Sequence, residues 1–77
     1  MPKMPAIREK DMLKYLLAYG CEIVRIRGSH YRLRNQKNGR LSTLPVHNKD
    51  IGRGLFSSVL NDLGIDANEF IDYIDKL

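Results

Sequence analysis

The chain has one cysteine, two histidines and no long apolar run in its 77 residues, and each shortage excludes something. A lone Cys21 rules out a disulfide within the chain. Its flank suits a small buried hydrophobe better than a reactive thiol. No stretch is apolar enough to span a bilayer, and Met1-Pro2-Lys3-Met4-Pro5 lacks the apolar run of a signal peptide. The expectation is a soluble protein of a reducing cytoplasm. His30 and His47 have no metal-ligand spacing, and most carboxylates sit in the tail, so metal catalysis is disfavoured and no cofactor is expected. No glycine-rich phosphate loop, internal repeat, low-complexity tract or dividing linker is present, so residues 1–77 read as one domain. A chain this short buries only about 60% of its unfolded surface, too little for a large enclosed cofactor pocket.

Acidic residues are scarce in the first two thirds. Residues 1–53 hold twelve Lys and Arg against four Asp and Glu, net +8, while residues 54–77 hold one against five, net −4, which together make the +4 of the whole chain. A basic front with an acidic tail points to a polyanion on one part of the surface.

The pattern of elements is α-β-β-β-α-α. Residues 1–6 form a short lead-in that Pro5 ends. Over about 7–19 the residues Met12, Leu13, Leu16 and Leu17 predict an apolar helical stripe, with Arg8, Lys10 and Lys14 off it and Gly20 as C-cap. Residues 21–27 predict a strand of imperfect alternation, with Val24 and Ile26 as the more buried pair. A second strand is expected over about 29–35 and a third over about 40–46, joined by the hairpin Gln36-Lys37-Asn38-Gly39. Pro45 belongs at a strand end or edge. Residues 48–54 read as a polar loop. Phe56, Val59, Leu60 and Leu63 predict a helix over 55–63 that Gly64 ends. A last helix starts at Asp66, with Glu69 completing a near capping box and Phe70, Ile71, Ile74 and Leu77 on its apolar side. The fold class is α+β: a three-stranded antiparallel sheet with helices on one face and the other face open.

Chemistry concentrates on Gly28-Ser29-His30. In an extended strand His30, Arg32 and Arg34 share one side, and Tyr31 and Leu33 the other. The polar side is the expected open face. An imidazole there lies beside guanidinium groups that match phosphate in a bidentate way. RNA carries its own nucleophile, the 2′-hydroxyl, and an imidazole of ordinary pKa about 6.5 can move the protons this requires near neutral pH. Arg25, Arg27, Lys37 and Arg40 are candidates to extend an RNA track, and Lys10 and Lys14 to contact a groove if the first helix lies along it. Ser29 either binds phosphate or satisfies the turn, with the turn favoured. His47 reads as a positioning or RNA-contacting group or as a turn residue, and as a possible second acid or base. Tyr31 reads as packing.

The element order, Leu16-Leu17 before Gly20, Gly28-Ser29-His30, Leu44-Pro45-Val46-His47, and Gly54 followed by Ser58-Val59-Leu60 and Gly64-Ile65 together resemble the HicA family of toxins. Leu55 stands where the family commonly has Thr, so a cap for the second helix is sought at Ser57 or Gly54, and Cys21 stands where it often has Phe. The resemblance implies a fold like double-stranded-RNA-binding domains, a metal-independent endoribonuclease acting on messenger RNA, and His30 as the catalytic histidine. It also implies a HicB-like antitoxin that covers the active surface, with operator DNA reached only through the antitoxin complex. The alternative is a module of the same fold that binds RNA without cutting it.

Overall fold

A computed structural model describes residues 7–47 and 49–76. The order is α1 (Glu9–Tyr19), β1 (Cys21–Arg27), β2 (His30–Asn35), β3 (Leu41–Pro45), α2 (Arg53–Leu63) and α3 (Ala67–Asp75). The strands form an antiparallel sheet in the order β1-β2-β3. The α+β arrangement with an open sheet is therefore the one expected. Pro45 closes β3, an edge strand, where its missing N–H costs nothing.

The core lies between one sheet face and the helices. Met12 and Leu16 of α1, Leu33 and Leu44 of the sheet, Phe56, Val59, Leu60 and Leu63 of α2, and Phe70 and Ile71 of α3 are buried together. Burying side chains of this size is worth about 1.5–3 kcal/mol each. Phe70 joins the helices, with its ring 5.6 Å from Tyr19 and 6.1 Å from Phe56. Tyr31 is half-buried against this core, and Cys21 is buried. Ile74 is half-buried, whereas Leu77 and residues 1–6 lie outside the described residues.

Several expectations change. Leu17 is exposed because the stripe of α1 narrows to Met12 and Leu16, with Leu13 half-buried. Val24 and Ile26 are exposed at 45% and 54%, so they are not the buried pair of β1. The pairing with β2 shifts register between Ile23 and Arg25, which leaves Val24 as an extra residue without a partner. The alternation of β1 looks imperfect in sequence because of this bulge. Segment 48–54 is not simply polar: Ile51 is buried beside Ile7. Its N–H donates to the Ile7 carbonyl at 3.0 Å, the Glu9 N–H donates to the Lys49 carbonyl at 2.9 Å, and Arg8 bridges Asp50. That short ribbon ties the start of α1 to the segment after β3. Helix α2 begins two residues earlier than expected. Gly52 is its N-cap with no side-chain bond, so neither Ser57 nor Gly54 caps it.

The far end is closed by the β2–β3 hairpin. Asn35 is buried and donates from Nδ2 to the Leu63 carbonyl at 2.9 Å. Asn38 Nδ2 reaches the same carbonyl at 3.0 Å, and Arg40 Nε reaches the Asp62 carbonyl at 2.9 Å. Carbonyls that the end of α2 leaves without helical partners are thus satisfied by side chains. Gly64 turns away at φ 70, the left-handed region that favours glycine. At α3, Asp66 Oδ1 accepts from the Glu69 N–H at 3.1 Å. The reciprocal half of the capping box is absent: Glu69 Oε1 accepts from the Tyr19 hydroxyl instead.

Candidate active site

The open sheet face follows from the register. Gly28 and Ser29 join β1 to β2 as a two-residue connection, with Gly28 at φ 62 in the place where a type II′ turn needs glycine. Arg27 then pairs with His30, and His30 with Pro45. One row further, Arg25 pairs with Arg32, and Arg32 with Thr43. Directly paired residues point to the same face. The two-residue turn thus sets Arg27 and Arg25 on the His30 face, and the Val24 bulge beyond them returns Ile23 and Cys21 to the helix side. Three arginines, His30 and Thr43 line one pocket there.

His30 is exposed, and its ring makes no hydrogen bond or ion pair among the described residues. Arg32 Nη1 donates to Thr43 Oγ1 at 3.2 Å, which holds that guanidinium against the sheet. Arg34 shares the face but is paired with Glu22, and Gln36 Nε2 donates to the other carboxylate oxygen at 2.8 Å. The free positive field therefore centres on Arg25, Arg27 and Arg32. Such a pocket can take a phosphate group and place an imidazole beside it.

A second constellation lies at the same end of the sheet. Ser29 Oγ and His47 Nε2 are 2.9 Å apart. On the other side of the ring, His47 Nδ1 lies 3.6 Å from Glu9 Oε1, within ion-pair range. That oxygen also accepts from the His47 backbone N–H at 3.2 Å. Glu9 is buried, while His47 is about half exposed. Sequence reasoning chose Ser29 and His47 but missed Glu9. An acidic residue in the first turn of a helix is ordinary, and only the Arg8–Asp50 bridge reveals that this one is enclosed beside an imidazole.

The remaining candidates lie elsewhere. Lys37 and Arg40 belong to the hairpin at the opposite end of β2 from His30, ~17 Å along the strand. Lys37 Nζ sits 4.5 Å over the Tyr19 ring, and Arg40 caps α2. Lys10 and Lys14 are exposed on α1, in the helix layer behind the sheet. Burial raises the Cys21 thiol above its ordinary pKa, with Lys37 pulling weakly the other way. Hollows beside α2 and along α3 are lined without any basic side chain. Among the described residues, no three His, Cys, Asp or Glu side chains gather as a metal site, and no helix is long and apolar enough to cross a membrane.

Residues 10–65 match the family model described as HicA toxin of bacterial toxin-antitoxin systems. The chain belongs to the HicA toxin family. The match runs from Lys10, the second residue of α1, to Ile65, so it includes Gly28-Ser29-His30, the three arginines of the pocket and His47, and it leaves Glu9 and α3 outside. Membership implies an antitoxin as partner. No curated protein matches the chain closely enough to be compared.

Proposed function

We propose that this HicA toxin is a metal-independent endoribonuclease that cuts messenger RNA, with His30 as general acid or base. The observation that carries the reading is the unpartnered His30 ring inside a pocket otherwise made of Arg25, Arg27, Arg32 and Thr43. The guanidinium groups grip non-bridging phosphate oxygens and offset the charge that builds there as the 2′-oxygen attacks. His30 moves a proton at the same phosphate. One positioned acid or base contributes on the order of 10²–10⁴ in rate, so the enzyme is slow, which suffices to disable messages. A HicB-like antitoxin neutralises the toxin by laying acidic side chains over the basic face. Operator DNA is then met only through that complex.

The test compares wild type with His30→Ala for growth arrest, and for breakdown of purified messenger RNA in the presence of EDTA. The exposed ring has no partner to lose, so the variant should fold with stability within about 0.5 kcal/mol of wild type. Loss of both activities in the variant, with RNA still bound, is the expected result. Equal toxicity of the two proteins removes His30 from the mechanism. Wild type that shifts RNA with a steep salt slope yet leaves it intact makes the protein a binding module.

A further inference from the structure

Cleavage through the 2′-hydroxyl needs two proton movements, one off the nucleophile and one onto the departing 5′-oxygen. His30 supplies one. We propose that Glu9, His47 and Ser29 form a proton relay that supplies the other, an inference that rests on the ribonuclease reading above.

The order of the groups is that of a relay. Glu9 Oε1 faces His47 Nδ1 at 3.6 Å, and His47 Nε2 faces Ser29 Oγ at 2.9 Å. Glu9 and Ser29 lie on opposite ring nitrogens of His47, so the three groups stand in order. Ser29 directly precedes His30, so their Cα atoms are ~3.8 Å apart. The relay therefore ends at the residue next to the proposed acid–base group in the chain, at the same end of the sheet.

A purely structural role accounts less well for the arrangement. The turn is already held to the segment after β3 by a main-chain bond, from the Val46 N–H to the Ser29 carbonyl at 2.7 Å. A carboxylate as enclosed as Glu9 is expensive to bury unless a cation or donors repay it. Its oxygen faces only the His47 backbone N–H and the His47 ring among the hydrogen bonds and ion pairs of the described residues. The residue that serves Glu9 through its backbone N–H is the one whose ring reaches Ser29.

The step balances without any outside reagent. His30 takes the proton of the 2′-hydroxyl while the 2′-oxygen bonds to phosphorus. As the bond from phosphorus to the 5′-oxygen breaks, Ser29 Oγ gives its proton to that oxygen and receives one from cationic His47 Nε2. Ser29 is unchanged at the end, His47 has lost one proton and His30 has gained one. The products are a 2′,3′-cyclic phosphate and a 5′-hydroxyl. Ser29 is thus a catalytic residue, and His47 and Glu9 position and charge it.

The experiment uses the full chain and one short RNA in two forms, with an ordinary 5′-oxygen or a 5′-sulfur at the scissile position. Sulfur leaves without being protonated. Ser29→Ala and His47→Gln should cut the ordinary RNA ~10²-fold more slowly than wild type and the sulfur form within a few-fold of it. His30→Ala should be slow on both. Ser29→Ala removes a single oxygen and keeps the main-chain bond, so it guards against a folding defect in the His47 variant. Equal slowing of Ser29→Ala on the two substrates, or no slowing on either, overturns the relay while leaving the ribonuclease reading intact. Failure of wild type to cut either form overturns both.

Discussion

Arg25 stands opposite Arg32 across the β1–β2 ladder, and both line the pocket that holds His30. Two like charges in directly opposed positions destabilise a sheet, typically by a few tenths to about 1 kcal/mol. The arrangement becomes favourable when an anion lies between them. Arg25→Gln should therefore raise thermal stability by about 0.5 kcal/mol in the absence of RNA. The same variant should weaken RNA binding and lower the slope of log affinity against log salt by about one. Melting curves with and without RNA, and binding measured at several salt concentrations, check both halves. A variant that loses stability and binds RNA as tightly as wild type would show that the pair serves packing.

Asn35 is the buried polar link between the sheet and the end of α2. Its Nδ2 serves the Leu63 carbonyl, and its Oδ1 accepts from the Lys37 N–H at 3.0 Å, so both ends of the amide are used. Replacement by Ala removes one of the two donors on the Leu63 carbonyl, which keeps Asn38 Nδ2, and takes the acceptor from the Lys37 N–H. The expected cost is about 1 kcal/mol, read from the midpoint of urea unfolding. Cleavage by folded Asn35→Ala should stay close to wild type, because the substitution lies at the opposite end of β2 from His30.

Stability should decline on the alkaline side. Burial raises the Cys21 thiol, and burial together with the hydrogen bond to Glu69 raises the Tyr19 phenol. Both groups hold their protons to higher pH when folded than when unfolded. Above about pH 8.5, where an unfolded thiol ionises, the folded chain binds more protons, so stability falls as pH rises. Below that range both groups are protonated in either state and contribute no slope. Urea midpoints between pH 7 and 10 check the sign. Cys21→Ala should flatten the lower part of the decline and Tyr19→Phe the upper part.

Much of the fold was legible in the chain because its signals are local. The apolar spacing of Phe56, Val59, Leu60 and Leu63, the glycines at 20 and 64, and the Asn38-Gly39 turn each act within a few residues. The alternation through His30, Arg32 and Arg34 marked the open face of β2 for the same reason, since a strand repeats every two residues. The misreading of Val24 has the opposite origin. A bulge exists only relative to a partner strand, and the period-two rule carries no sign of it.

Taken alone, then, the chain settles the order of its elements, the face that His30 occupies and its family resemblance. Folding decides which cations gather round that ring. The Gly28-Ser29 turn sets Arg25 and Arg27 on its face, while the β2–β3 hairpin takes Lys37 and Arg40 to the other end of the sheet. Folding also assembles Glu9, His47 and Ser29, which stand 38 and 18 positions apart. Hydrophobic period is a property of neighbours in sequence, whereas register and long-range pairing are properties of neighbours in space.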